Sequence, residues 1–285
     1  MARIDWHAGF VPAMKLELID NEDDLEFHEE EYLESRKQRY DLLIIKVNRD
    51  VRIKNEIGAI FNKFNILEYK SPDDILDAGE FYKTLAYVCR YLYERHDHDK
   101  YSADAYTMTI VRSSMPNKMI SQLKTDGITA TETVQGIYEL KGNLPFKAQM
   151  IVTDRLNTDH VWLRCLTRNG SRQELEGLVS RTRDQQGRHK DLADCVMNTF
   201  ARANNTLMRK ETKEDISMCE AIEELFADKI EMLQKRADEA EKRANEIESL
   251  MSAERNRADA AESMVNVEKR RADAAEAKLI AAGLM

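Results

Sequence analysis

Two short apolar runs with charges inside them constrain the fold of this chain more than any other feature. They are "DLLIIKV" at 41–47 and "NILEYKSP" at 65–72. The first run is apolar on both faces, which indicates a strand that is covered on both sides. A buried strand has no packing use for Asp41, Glu68 or Lys70, because burying an unpaired charge costs on the order of several kcal/mol. These three residues therefore need partners or a chemical role.

Strand-like and helix-like segments alternate through residues 1–155, which predicts a mixed α/β fold. Apolar residues at helical spacing predict an amphipathic helix over 77–96. Residues 10–20 fit a helix, with Pro12 in its first turn, or a strand, because "KLEL" alternates. A weakly alternating segment at 25–34 predicts an edge strand. Further predictions are a strand at 104–112, a short helix at 116–124, strands within 127–143 and 145–153, and helices from about residue 159 onward.

The C-terminal part of the chain has a different pattern. The hexapeptide "RADEAE" begins at 236, and "RADAAE" begins at 257 and again at 271, so the offsets are multiples of seven. This heptad phase predicts an alanine-rich coiled coil and a homo-oligomer, although a single solvated helix fits the same pattern. We therefore divide the chain into a mixed domain at 1–155, a helical region at 156–210 and a coiled-coil tail at 211–285.

Charge and composition limit the partners of the chain. The net charge is -9, and residues 211–285 hold 19 of the 52 acidic but only 12 of the 43 basic residues. The acidity belongs mostly to the tail, so the front of the chain can still bind nucleic acid. The four scattered cysteines are typical of reduced thiols. No signal peptide and no run near about 18 apolar residues is present, so we expect a cytoplasmic protein with no membrane partner.

The two charged runs predict a metal site if they are neighbouring antiparallel strands. The start of one strand then lies beside the end of the other, and residues 68 and 70 share a face. Asp41, Glu68 and Lys70 would converge there. Carboxylate oxygens suit Mg2+ or Mn2+, and a lysine can stabilise charge on a phosphate. A structural Glu–Lys pair at a solvent-facing strand end fits the same spacing, and spacing alone favours that simpler interpretation.

A second triplet of the same kind competes with the first. Glu139 and Lys141 are also two residues apart in a predicted strand, and Asp126 precedes them by thirteen residues. We prefer Asp41, Glu68 and Lys70 because both of their strands are more strongly apolar.

Several segments resemble a known nuclease group: "WHAGF" (6–10), "LEL" (16–18), "DLLIIK" (41–46), "NEIGAIFNKFNILEYKSP" (55–72) and "FYKTLAYVCRY" (81–91). Together they resemble the recombination-promoting nuclease and transposase-like families of the PD-(D/E)XK nuclease superfamily. The resemblance implies a restriction-endonuclease-like mixed sheet flanked by helices, and a helix at "KLEL". It also implies a Mg2+-dependent DNA endonuclease that hydrolyses phosphodiester bonds, with a link to recombination or mobile elements.

The resemblance also implies a set of site residues. Glu17 on the first helix, Asp41 and Glu68 would hold the metal, and the backbone carbonyl of Tyr69 would add a ligand. Lys70 would act on the attacking water.

The helix that follows would contribute two polar side chains to the same site. These are Lys83 and Tyr87, which are four residues apart and so share a helix face. Tyr82 is a second candidate beside Tyr87. Glu56 in the long connection between the two strands is either a further ligand or a helix cap. The chain departs from the family pattern at Tyr40, where a proline precedes the acid in other members.

Other charged segments leave their roles open. The residues at 96–99, His96 to Asp99, are either metal ligands or a solvated loop. The basic residues Arg172, Arg181, Arg183, Arg188 and Lys190 could bind phosphates, but such residues also serve solubility. No ATP-binding, dinucleotide-binding or serine-hydrolase motif is present. The competing function is a catalytically inactive nuclease-fold protein that acts as a binding scaffold and assembles through its coiled coil; the presence of every expected acid favours the enzyme.

Overall fold

The computed structural model describes residues 4–29, 40–48, 50–95 and 100–214, together with residues 222, 251, 264, 268, 269 and 271. The chain divides into a first unit, residues 1–225, and a second, residues 226–285. The few described residues of the second unit are helical. The predicted coiled coil otherwise falls outside the described residues, as do residues 96–99. The predicted boundaries at residues 155 and 210 stay predictions.

Within the described residues, seven strands form one mixed sheet in the order β1-β2-β3-β4-β7-β6-β5. β3, β4 and β7 are parallel to one another, and the other neighbouring strands are antiparallel. The bounds are Leu25–Glu29 (β1), Leu42–Lys46 (β2), Phe64–Lys70 (β3), Tyr106–Arg112 (β4), Thr129–Val134 (β5), Ile137–Lys141 (β6) and Lys147–Val152 (β7). The predicted edge strand is therefore confirmed as β1.

Helices lie on both faces of this sheet. The α-helices are His7–Glu17 (α1), Ala78–Glu94 (α2), Asn117–Thr125 (α3), Val161–Arg164 (α4), Arg172–Arg183 (α5), Gly187–Ala203 (α6) and Asn205–Glu214 (α7). Short 3-10 helices lie at Ile19–Asp24, Glu56–Gly58, Ala103–Ala105 and Thr153–Arg155. The α/β class with helices flanking a mixed sheet is confirmed. None of the described helices has the length and apolar character needed to cross a membrane.

The interior strand β3 is buried along its whole length, because both faces of the sheet are covered there. On one face Phe64 belongs to the same core cluster as Phe81 and Val88 of α2. On the other face the Tyr69 ring stacks on Phe10 of α1, with 4.6 Å between ring centroids. Side chains alternate between the faces along a strand, so Glu68 and Lys70 emerge on the α2 side.

The first helix, α1, resolves the ambiguity that alternation left at "KLEL". It begins at His7, so Pro12 lies inside it rather than in its first turn. Gly9 allows α6 to approach closely, since a Cβ atom there would lie 2.7 Å from Oγ1 of Thr199 and 3.0 Å from a methyl carbon of Leu166. The N-terminal helix is thus held against the sheet by helices from the far end of the first unit.

Candidate active site

The two charged runs pair as adjacent antiparallel strands. Leu42 of β2 lies opposite Leu67 of β3, so Asp41 lies opposite Glu68 at the end of the pair. Asp41 accepts a hydrogen bond at Oδ2 from the backbone N–H of Tyr69, at 2.8 Å. The aspartate is thereby fixed to the strand that carries Glu68. The antiparallel pairing on which the sequence prediction depended is confirmed.

Lys70 lies between two carboxylates. Its Nζ is 2.8 Å from Oε1 of Glu68 and 2.7 Å from Oε2 of Glu80. Glu68 and Lys70 are both buried, at 6% and 8% exposure. Burial alone would lower the pKa of Lys70, but the two carboxylates outweigh it and raise the pKa above its usual value. The two carboxylates therefore favour the charged, ammonium form of Lys70.

Glu80 is a member of this cluster that the sequence reasoning missed. It lies in the first turn of α2, and its carboxylate accepts from Lys83 at 3.1 Å as well as from Lys70. These lysine partners hold the pKa of Glu80 below its usual value. The available signal was its position three residues before Lys83, which places both residues on one helix face.

The surroundings of Glu68 disfavour its charged form. Burial, followed by the charge of Asp41, raises its pKa to about 7, although Lys70 opposes the shift. Its Oε2 atom is buried and has no hydrogen-bond partner. Such an atom is unfavourable unless something occupies it. The site therefore has a buried carboxylate oxygen without a hydrogen-bond partner, on a residue that also feels the charge of Asp41.

Of the three residues of α2 that the sequence predicts for the site, Lys83 and Tyr87 lie near the Lys70 cluster, and Tyr82 does not. Lys83 lies over the Tyr87 ring, with Nζ 5.7 Å from the centroid, and reaches the cluster through Glu80. Tyr87 is buried beside it. The Tyr82 hydroxyl instead donates to Asp126, at the C-terminal end of α3, at 2.8 Å. Lys83 and Tyr87 are thus adjacent to the site, and Tyr82 is not.

The structure does not bring Glu17 to the other predicted ligands. His7, at the start of α1, lies 3.5 Å from Asp41, measured from Nδ1 to Oδ1. Glu17 is the last residue of the same helix, and ten residues of α-helix span about 15 Å. Its Oε2 lies 3.0 Å from Nδ1 of His160, and its Oε1 accepts from the N–H of Leu163 at 3.2 Å. Glu17 thus joins α1 to α4.

Glu56 belongs to this second cluster and not to the site around Asp41. Its Oε2 lies 3.6 Å from Nε2 of His160. Burial would lower the pKa of His160, but Glu17 and Glu56 together raise it overall. Glu56 begins the short 3-10 helix Glu56–Gly58. The cap of that helix is Asn55, whose side chain accepts a hydrogen bond from the backbone N–H of Ile57.

The competing triplet at Glu139 forms an ordinary surface ion pair. Lys141 is 63% exposed along its side chain, and its Nζ lies 2.9 Å from Oε2 of Glu139. Asp126 is occupied by Tyr82 and Gln122. Nothing brings these acids together.

The basic residues proposed to bind phosphates are mostly paired. Arg172 forms ion pairs with Glu176 and Glu211. Arg188 pairs with Glu22, and Lys190 pairs with Asp194. Glu22 follows the C-terminal end of α1, which is the end far from Asp41. Arg181 and Arg183 are exposed on α5. These residues do not extend the site at the sheet end.

In the part of the chain that the structure describes, no group of three or more His, Cys, Asp and Glu side chains is arranged to hold a metal ion. A metal at the sheet end would therefore depend on Asp41 and Glu68 for side-chain ligands. No protein-family model, curated protein or solved structure matches the chain. Its function is therefore inferred from the geometry of the site.

Proposed function

We propose that the chain is a Mg2+- or Mn2+-dependent DNA endonuclease that hydrolyses phosphodiester bonds on a restriction-endonuclease-like variant of the mixed sheet. One observation carries the proposal. The unpartnered Oε2 of buried Glu68 lies at a strand end that also holds the Asp41 carboxylate and the Lys70 ammonium. Two acids and a lysine at one point suit the chemistry of a negatively charged phosphodiester.

The donor atoms fit a hard divalent cation. Mg2+ is commonly held by only one or two carboxylates, with water and substrate phosphate completing its shell. Asp41 and Glu68 supply those two carboxylates, and the Tyr69 carbonyl remains a proposed third ligand. A cation beside Glu68 would also favour its charged form, which burial and Asp41 now disfavour.

The residues of the chain have distinct roles in this proposal. Mg2+, when bound, withdraws charge from the phosphate and makes water a better nucleophile. The Tyr69 N–H fixes the orientation of Asp41. Glu68 and Glu80 fix the Lys70 ammonium, which donates to the attacking water or to the phosphate oxygens as their charge increases. Lys83, beside Tyr87, adds positive charge on the same side of the sheet.

A second candidate function is a catalytically inactive binding scaffold that assembles through the C-terminal coiled coil. The observation that favours it is the use of Glu17 as a structural anchor, bound by His160 and Leu163. The acid that the family resemblance assigns to the metal is then committed elsewhere. DNA binding and homo-oligomer formation are common to both proposals.

Purified protein and supercoiled plasmid separate the two functions. We expect nicking or linearisation with Mg2+ or Mn2+ and none in EDTA. The Asp41→Ala protein, prepared in the same way, should show no cleavage. If wild type and Asp41→Ala cleave equally, the activity belongs to a contaminant; if neither cleaves but wild type binds the plasmid, the scaffold function is the better description.

Melting curves test the metal site without a substrate. Asp41→Asn should melt at or above the wild-type temperature in EDTA, because an asparagine oxygen still accepts from Tyr69 N–H while repulsion with Glu68 is removed. Mn2+ at a hundredfold excess over Kd should stabilise wild type by about 2.7 kcal/mol, and Asp41→Asn should lose most of that gain.

The matched control for this measurement is Glu139→Gln, which also removes one strand carboxylate. It should respond to Mn2+ as wild type does. A clear loss of stability for Asp41→Asn in EDTA, with no metal response in wild type, would show that Asp41 is a structural partner and not a ligand.

A further inference from the structure

Arg112 occupies a special position next to the proposed site. It is the last residue of β4, and it lies opposite Lys70 in the parallel pairing of β3 with β4. Paired residues of neighbouring strands project from the same face of a sheet, about 4.8 Å apart. Arg112 therefore emerges beside Lys70, on the face that carries Glu68 and receives Glu80.

Unlike Lys70, this arginine has no hydrogen-bond or ion-pair partner among the residues that the structure describes. Its Nε atom is buried and unsatisfied. Burial lowers its pKa, and only the charge of Asp74 opposes that effect. Asp74 itself accepts from the N–H of Ser71. Other half-buried arginines differ: Arg164, for example, reaches Glu174 at 2.9 Å.

The contrast in pairing indicates what Arg112 can bind. The Lys70 ammonium already donates to two carboxylates, which leaves one N–H for the attacking water or a phosphate oxygen. A guanidinium offers several N–H donors in a planar fork that matches two oxygens of a phosphate. We propose that Arg112 is a phosphate-binding residue at this end of the sheet, where it grips the backbone of a nucleic acid. The identity of the phosphate as that of DNA rests on the proposed function.

Inorganic phosphate tests this site in EDTA, where neither metal nor cleavage is involved. Thermal melts would compare phosphate with chloride at equal ionic strength. Phosphate should raise the Tm of wild type but not that of Arg112→Met. In chloride, Arg112→Met should melt at or above the wild-type temperature, because an unpaired, partly buried charge is removed. Arg112→Lys, which keeps the charge without the fork, should retain part of the phosphate response.

The matched control is Arg181→Met, which removes an exposed arginine on α5. It should keep the full phosphate response. Equal phosphate responses in wild type and Arg112→Met, or no response in wild type, would overturn the inference.

Binding to a DNA duplex in EDTA gives a second readout. Arg112→Met should bind the duplex about tenfold more weakly. The slope of log K against log salt should decrease in magnitude by about one, which corresponds to the loss of one phosphate contact. Arg181→Met should bind as wild type does. Unchanged affinity and slope for Arg112→Met would overturn the inference even if cleavage depends on Asp41 and Glu68. A phosphate response that needs Arg112, in a protein without metal-dependent cleavage, would instead retain the anion site and reject the nuclease.

Discussion

Glu68→Gln should lower metal-dependent DNA cleavage by about a thousandfold, because removal of one group that stabilises a transition state commonly costs about 10²–10³ in rate and this group is also a proposed ligand. The protein should stay folded. Glutamine has nearly the same shape, and Lys70 keeps its contact with Glu80 at 2.7 Å. The measurement is the initial rate of plasmid cleavage in Mg2+ at pH 8, with a melting curve of each protein.

The control for Glu68→Gln is Glu139→Gln. Glu139 also pairs with a lysine two residues later along a strand, but at the surface. The Glu139→Gln protein should cleave DNA at the wild-type rate. Cleavage by Glu68→Gln within tenfold of wild type would contradict the assignment of this carboxylate.

The same substitution should also change how stability depends on pH. The pKa of Glu68 is about 7 in the folded protein, against a usual value of 4.5. The folded state therefore binds a proton more tightly than the unfolded state, and stability in EDTA should fall as pH rises from about 4.5 to 7. Glu68→Gln should remove this part of the decline. Denaturant unfolding of both proteins at pH 5 and pH 8 gives the comparison.

Glu17→Ala should lower the free energy of unfolding by about 3–5 kcal/mol, as the loss of one partner from a buried ion pair does. His160 would lose the Glu17 oxygen that lies 3.0 Å from its Nδ1. The backbone N–H of Leu163 would lose the Glu17 oxygen that accepts its hydrogen bond. The loss should be larger at pH 6 than at pH 8.5. The pKa of His160 is raised above 6.5, so its stabilising contribution is present below that pH and disappears as pH rises through the folded pKa.

Urea unfolding in EDTA distinguishes this anchoring role from a metal-binding role. Asp41→Asn serves as the comparison, because it should not be destabilised under these conditions. If Glu17→Ala were as stable as wild type in EDTA and only lost its response to Mn2+, Glu17 would be a ligand, as the family resemblance implies.

The position of Asp41 opposite Glu68 could be predicted because it depends on local information. Two apolar runs predict two buried strands, and antiparallel pairing then fixes which ends meet. The edge strand at Leu25–Glu29 and the helix at Ala78–Glu94 follow from alternation and helical periodicity in the same way.

The remaining contacts depend on how the elements pack, which periodicity does not encode. Glu80 reaches Lys70 only because the first turn of α2 lies over the end of β3. Glu17 is on the predicted helix, but the opposite end of that helix, at His7, lies near Asp41. Arg112 was within a predicted strand, yet its position beside Lys70 follows from the parallel pairing of β3 and β4.

The close packing of α1 on α6 has a consequence for synthesis of the protein. At roughly 5–20 residues per second, the ribosome finishes synthesis of α6 about 10–40 s after it finishes α1. In the second half of that interval a nascent chain already contains Asp41, Glu68 and Arg112, but the helix that covers Gly9 has not been made. The face of α1 around Gly9 therefore lacks its packing partner until α6 has been made. We expect the sheet end to acquire its final geometry late, when about 200 residues have emerged.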